Sequence, residues 1–184
     1  MPLAVNSTAA SLLGFLHAGP MTGWQLVETA QAVIGNFWSL TRSQVYRELA
    51  AMAERGLVEA GERGARDSRP YAITAAGREV FAEWLDTMPA RESIRFPLLL
   101  TIVFGRHLAP ERLTEIVAAH RGQHAEQLRG YEAARAAAVT AGYDDPFALA
   151  TLEFGMAYER AALAWFDALP AEVRGRGDRE ASPA

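Results

Sequence analysis

Two Thr-x-x-Gln quartets, Thr22-Gly-Trp-Gln25 and Thr41-Arg-Ser-Gln44, constrain the first half of this chain more than any other feature. In that spacing the Thr side chain accepts from the Gln backbone N–H while the Gln side chain reaches back to the Thr N–H. Two donors that a helix start would otherwise leave unpaired are thereby satisfied. Each quartet predicts a helix start. The first opens an amphipathic segment with Trp24, Val27, Ala30, Val33 and Ile34 on its apolar side, ending at Gly35-Asn36. The second opens a helix over 41–55 in which Val45, Leu49 and Met52 recur on one face of a 3.6-residue period, until Gly56 stops it. Ahead of both, residues 7–18 read as a short helix capped by Ser7 or Asn6 and closed by Gly19-Pro20.

Two short strand candidates follow, Leu57-Val58 and Tyr71-Ala72-Ile73, joined by turn-forming Gly61, Gly64, Asp67, Ser68 and Pro70. Thr74 then caps a fourth helix with an apolar stripe of Val80, Phe81, Trp84, Leu85 and Met88. Three helices, a two-stranded ribbon and a helix make the layout of a winged helix-turn-helix, whose third helix enters the major groove. Beyond the boundary at MPARES (88–93) only helix is predicted: 96–107, 110–140 opened by Pro110, and 146–168 after the Gly142–Pro146 turn, the last two antiparallel. The expected fold is mainly α with a small β-wing. Its parts are a winged helix-turn-helix over 7–88, an α-helical dimerisation domain over 95–169 and a disordered tail over 170–184.

Composition closes off several classes of function. With 184 residues and no Cys, the chain holds one or two domains and has no disulfide, thiolate or Cys-ligated zinc. Its most apolar run, FPLLLTIVFG (96–105), is half of the roughly 20 residues a membrane span needs, and is expected to be a buried helix. No charged n-region precedes an apolar core at the N-terminus, so a soluble cytoplasmic protein is expected. There is no phosphate-cradling Gly-rich loop, no nucleophile with a placed base and no paired-carboxylate motif, so neither catalysis nor a cofactor is expected. The net charge of −4 withholds the basic excess that often marks nucleic-acid binders. Any DNA affinity must come from where Arg residues are placed.

Projection of helix 41–55 puts Ser43, Arg47, Ala50 and Glu54 opposite the apolar face, with Gln44 and Tyr46 on its flanks. Recognition helices contact bases mainly through their N-terminal residues. Arg forks onto guanine, Gln onto adenine, and Ala lets the axis approach closely. The candidate DNA contacts are therefore Thr41, Arg42, Ser43, Gln44, Tyr46 and Arg47, with Arg63, Arg66, Ser68 and Arg69 from the ribbon loop, where phosphate contact is natural. A solvated helix face and a solvated charged turn are the alternatives. Helix 146–168 carries two apolar stripes, Leu149, Leu152, Met156, Leu163 and Phe166 on one side and Phe147, Phe154, Tyr158 and Trp165 on the other. One buried face suffices within a monomer's outer layer, so the second stripe predicts a homodimer contact. His120 and His124 share a face with Leu113, Val117 and Tyr131. They read as structural histidines or, with Trp38 and Trp84, as lining for an effector pocket; two His at i, i+4 do not make a metal site on their own.

Taken together, GFLHAGPMTGWQLVE, FWSLTRSQVYRELAAMAERGLVE and SRPYAITAAGREVFAEWL resemble the N-terminal domain of the PadR-type transcriptional regulators across nearly all of residues 11–86. FPLLLTIVFGRHLAPERL and LEFGMAYERAALAWFD resemble the family's virulence-activator-like C-terminal helical domain. The resemblance implies a homodimer on an inverted-repeat-like operator, more often a repressor than an activator, released by a small aromatic or drug-like ligand. Tyr46 matches the family's recognition-helix Tyr, and Gln44 its preceding polar position. Arg47 stands where a Pro is common, and Tyr71 follows Arg69-Pro70 directly where a basic residue is usual. A winged-helix protein–protein interaction module that does not bind DNA is the competing reading.

Overall fold

The computed structural model describes residues 4–35, 37–62, 64, 69–92 and 94–174. The predicted ribbon positions Arg63, Arg66 and Ser68 lie outside the described residues, as do residues 175–184 of the tail. The chain divides into two units, Met1–Arg91 and Glu92–Ala184.

In the first unit α1 (Ser7–Leu16), α2 (Gly23–Val33) and α3 (Arg42–Glu54) are followed by α4 (Ala75–Asp86). Asn6, the second of the two cap candidates, accepts from Ala9 N–H and starts α1. Both capping boxes form as the spacing requires, at Thr22 and at Thr41. At the end of α3, Gly56 takes φ +69°, Leu57 N–H donates to Met52 O and Gly56 N–H to Ala53 O. This is the double return bond of a Schellman turn, in which a left-handed residue is cheapest as glycine. The turn aims Leu57 into the core.

Among the described residues three strands form where two were expected. β1 (Met21–Thr22) adds to β2 (Val58–Ala60) and β3 (Pro70–Ile73) in an antiparallel sheet of order β1-β3-β2, with Met21 opposite Tyr71 and Val58 opposite Ile73. A two-residue strand shows no alternation, so only its pairing reveals it. Leu12, Leu13, Leu16, Leu26, Val45, Leu49, Met52 and Leu57, all essentially inaccessible, form the core under this sheet and the four helices. The apolar stripes of two helices are differently oriented from the sequence expectation. α2 buries Gly23, Leu26 and Ala30 and leaves Trp24 and Val33 exposed. α4 buries Gly77 and Val80, half-buries Phe81 and Trp84, and exposes Leu85, while Met88 lies exposed beyond its end.

The second unit is built on a hairpin of α6 (Pro110–Thr140) and α7 (Pro146–Ala168), turned by Gly142 at φ +65° and capped by Asp145. Its core is small: Leu98, Leu113, Val117, Phe166 and Leu169. The expected buried helix over 96–107 is instead α5 (Pro97–Val103) followed by a 3₁₀ turn at Gly105–His107, and within the chain only Leu98 of α5 is buried. Leu99, Leu100, Val103 and Phe104 face outward, because a run apolar all round has only one side covered by α6. A further short helix, α8 (Ala171–Arg174), occupies the start of the segment expected to be disordered; Arg174 Nη1 holds it by donating to Asp167 O at 3.1 Å.

Candidate nucleic-acid interface

Burial of Val45, Leu49 and Met52 fixes the rotation of α3 about its axis. Ser43, Arg47, Ala50 and Glu54 are consequently exposed, on the face the projection assigned them, and Arg42 in the first turn is exposed as well. The Arg47 side chain is 69% exposed, with Nη2 4.0 Å from Glu48 Oε1. Glu48 also accepts from Asn6 Nδ2 at 3.2 Å, and Arg55 Nη2 donates to Ala4 O at 3.2 Å. The segment leading into α1 therefore braces α3 at its middle and at its C-terminal end. No sequence signal points to these contacts, which join residues more than forty positions apart.

The capping box restricts what Gln44 can do. Its Oε1 accepts from Thr41 N–H at 2.8 Å and from Thr41 Oγ1 at 2.9 Å, while Gln44 N–H donates to Thr41 Oγ1 at 3.2 Å. Bidentate reading of adenine needs a Gln oxygen as acceptor as well as its nitrogen as donor. With both oxygen lone pairs engaged, Gln44 offers its Nε2 donors only. Thr41 is likewise a cap first. Tyr46, a flank residue in projection, is 46% exposed and lies against Gly23 of α2.

On the sheet side, Arg69 Nε donates to Gly61 O at 3.0 Å, and Gly61 N–H to Pro70 O at 2.8 Å. Arg69 thus braces the base of the wing through Nε. Thr74 Oγ1 donates to Gly56 O at 2.7 Å and accepts from Gly77 N–H at 3.0 Å, tying α4 to the end of α3. A Cβ on Gly77 would meet Leu57 O at 2.1 Å, so this crossing requires glycine.

The aromatic and His candidates divide between the two units. Trp38 is exposed, whereas Trp84 stacks on Phe81 with centroids 6.5 Å apart; both belong to the first unit. In the second unit His120 is half-buried, and His124 Nδ1 lies 2.5 Å from Oε2 of buried Glu159, with Phe166 at 5.5 Å. The carboxylate that sequence reading did not see beside His124 is thus supplied from the facing helix. Tyr131 packs on Gly155, where a Cβ would lie 2.6 Å from Cζ, and this burial raises its hydroxyl above the ordinary tyrosine range. Among the described residues no group of three or more His, Asp or Glu side chains is arranged to hold a metal, and no helix is long and apolar enough to cross a membrane.

Along the same seam three ion pairs fix the register of the hairpin: Arg121 Nε with Asp167 Oδ1 at 2.9 Å, Arg135 with Glu153 at 3.0 Å and Arg160 with Glu132 at 3.0 Å. The Arg121 hydrogen bond holds the Asp167 carboxyl below its usual value. Met156, Glu159 and Phe166 line the inner side of α7. Phe147 at 83% and Phe154 at 69% exposure, with Tyr158 and Trp165, form its outer side.

The first unit is a winged helix-turn-helix, and the helical second unit presents an uncovered aromatic face. The family comparisons assign the two halves separately. Residues 12–83 match the model of the "Transcriptional regulator PadR-like family", and residues 94–173 match "Virulence activator alpha C-term". The first unit is thus a PadR-like domain and the second a virulence-activator-type helical domain, the pairing of a PadR-family transcriptional regulator. It is 24% identical over 110 residues to the negative transcriptional regulator PadR of Bacillus subtilis, a match covering 58% of this chain and 60% of that one. To a probable transcriptional regulator of Mycobacterium tuberculosis it is 34% identical over 80 residues, covering 39% and 42%. The chain thus spans less than two thirds of either relative. Among solved structures, Bacillus subtilis PadR in complex with operator DNA superposes with TM-score 0.76 at 18% identity, over 91% of this chain and 99% of that one. PadR with p-coumaric acid gives 0.70 at 18% over 92% and 98%. The Vibrio cholerae virulence activator AphA gives 0.71 at 26% over 92% and 97%.

Proposed function

We propose that this protein is a homodimeric, sequence-specific DNA-binding repressor whose α3 reads the major groove of an inverted-repeat-like operator. The observation that carries the reading is the exposed N-terminal face of α3, where Arg42, Ser43 and Arg47 stand on a helix whose rotation is fixed by core burial. Arg47 is the main base reader. Gln44 contributes a donor, Thr41 holds the start of the helix, and Tyr46 sits on the flank. Arg69 reaches phosphate from the wing base, and Arg63, Arg66 and Ser68 continue that contact in the loop. The exposed Phe147, Phe154, Tyr158 and Trp165 make the dimer seam, which sets the separation of two recognition helices at half-sites roughly 34–36 Å apart. A small aromatic ligand favours a dimer whose recognition-helix spacing does not match the operator, which is a population shift. Trp38, Trp84, His120 and His124 remain the candidate residues through which it acts. Repression is supported by the name of the Bacillus relative; the Vibrio neighbour is an activator, so reporter assays decide the sign.

The test is a salt series on the promoter of the protein's own gene. Each phosphate neutralised should contribute about −0.9 to the log–log slope of affinity against salt. Arg47→Ala should weaken specific binding by about 1–3 kcal/mol, as expected for loss of a bidentate base contact. Absence of a shift at low salt would favour the interaction-module reading, which the net charge of −4 supports.

A further inference from the structure

Tyr46 is half exposed, yet its ring has a defined seat. A Cβ built on Gly23 would lie 2.6 Å from Tyr46 Cε1, 2.8 Å from Cζ and 3.1 Å from the hydroxyl oxygen. Gly23 is buried and is the first residue of α2. It is not among the glycines with positive φ, which are Gly19, Gly56 and Gly142. Its backbone therefore suits any L-residue, and what requires glycine there is the ring above it. Trp24 and Gln25, the next residues of α2, are exposed, so Gly23 is where the first turn of α2 meets α3. The preceding residue, Thr22, both caps α2 and pairs with Pro70 of β3. Gly23 is thus joined at once to α2 and to the base of the wing.

We propose that Tyr46 is a positioning residue of the helix-turn-helix: its ring, seated on Gly23, fixes α3 relative to α2 and to the wing. Core burial of Val45, Leu49 and Met52 sets the rotation of α3, while the Tyr46–Gly23 contact sets the stand-off at the end of α3 that carries Arg42, Ser43 and Arg47. The consequence for DNA rests on the DNA-binding reading; the lock itself is a property of the free protein. Because the ring is half exposed, it can swing outward when crowded. A methyl group at position 23 should therefore displace the recognition surface without unfolding the unit.

The lock makes the sign of one substitution depend on the other. Alanine is the better helix former and restricts the unfolded chain, so Gly→Ala at a strain-free helical site stabilises. Gly23→Ala should lower the melting temperature of the wild-type protein by crowding the ring, and raise it in a Tyr46→Ala background. The same sign in both backgrounds would overturn the lock. For operator affinity, Gly23→Ala and Tyr46→Ala should each cost about tenfold, and the double variant little more than either, the non-additivity expected of residues in contact. Tyr46→Phe keeps the ring and should bind nearly as wild type. If Tyr46→Phe binds as weakly as Tyr46→Ala with an unchanged melting temperature, Tyr46 acts through its hydroxyl on DNA and the positioning role is lost. Should the wild-type protein bind no operator, the DNA-binding reading fails while the melting cycle still decides the lock.

Discussion

The two units bury their apolar residues to very different extents. The first, of some ninety residues, closes a core of fully inaccessible side chains drawn from α1, α2, α3 and the residues around β2. The second has a comparable length, but its buried cluster gathers near Leu113, Val117 and Phe166, toward one end of the hairpin. α6 is 31 residues long, roughly 46 Å at 1.5 Å per residue, and buries only Leu113 and Val117. Meanwhile Phe147, Phe154, Leu100, Val103 and Phe104 lie open. The winged helix closes its core within its own residues, whereas the helical unit carries apolar area that its own residues leave open.

This contrast can be broken by experiment. Leu49→Ala, at a position with no solvent exposure, should cost about 2–5 kcal/mol through lost transfer energy and a residual cavity. The loss should be the same at every protein concentration, because the first unit's core is complete within one chain. Phe154→Asp should leave the first unit's melting transition in place and shift the protein to monomer in sedimentation velocity, at a cost of about 2 kcal/mol or more if Phe154 is an interface anchor. A transition of the second unit that does not rise with protein concentration would defeat the dimer assignment.

The smallest effect concerns the ion pairs. Asp167 has its pKa lowered from 3.8, chiefly by the hydrogen bond from Arg121. A depressed carboxylate contributes stability that is present above its unfolded value and lost as pH falls through the folded one. The contribution should therefore be intact at neutral pH and disappear only below about pH 4. Asp167→Asn should flatten that acid limb in pH-dependent melts and change little at pH 7, as expected for an exposed pair.

Much of the first unit is legible in the residues. The capping boxes at Thr22 and Thr41, the i, i+4, i+7 pattern of Val45, Leu49 and Met52, and Gly56 as a stop signal each act over a few residues, so local spacing is enough to read them. The outer face of α3 followed from the same periodicity. β1 escaped notice because two residues have no period, and the burial of Gly23 in place of Trp24 did so because hydrophobicity alone does not favour glycine for a core position. On α7 the two-stripe pattern was readable, but the buried Glu159 between the inner-face positions was not, since its partner His124 lies 35 residues away.

Local chemistry, written in the order of residues, therefore determined where most of the helices begin and end and which side of α3 is apolar, while the resemblance of whole motifs pointed to a PadR-like winged helix ahead of a helical domain. Tertiary packing decided the rest. It set Tyr46 over Gly23, and placed Arg69 against Gly61 and Glu159 against His124. These contacts join residues distant in the chain, and their energy exists only once the backbone has brought those segments within a few ångströms of each other.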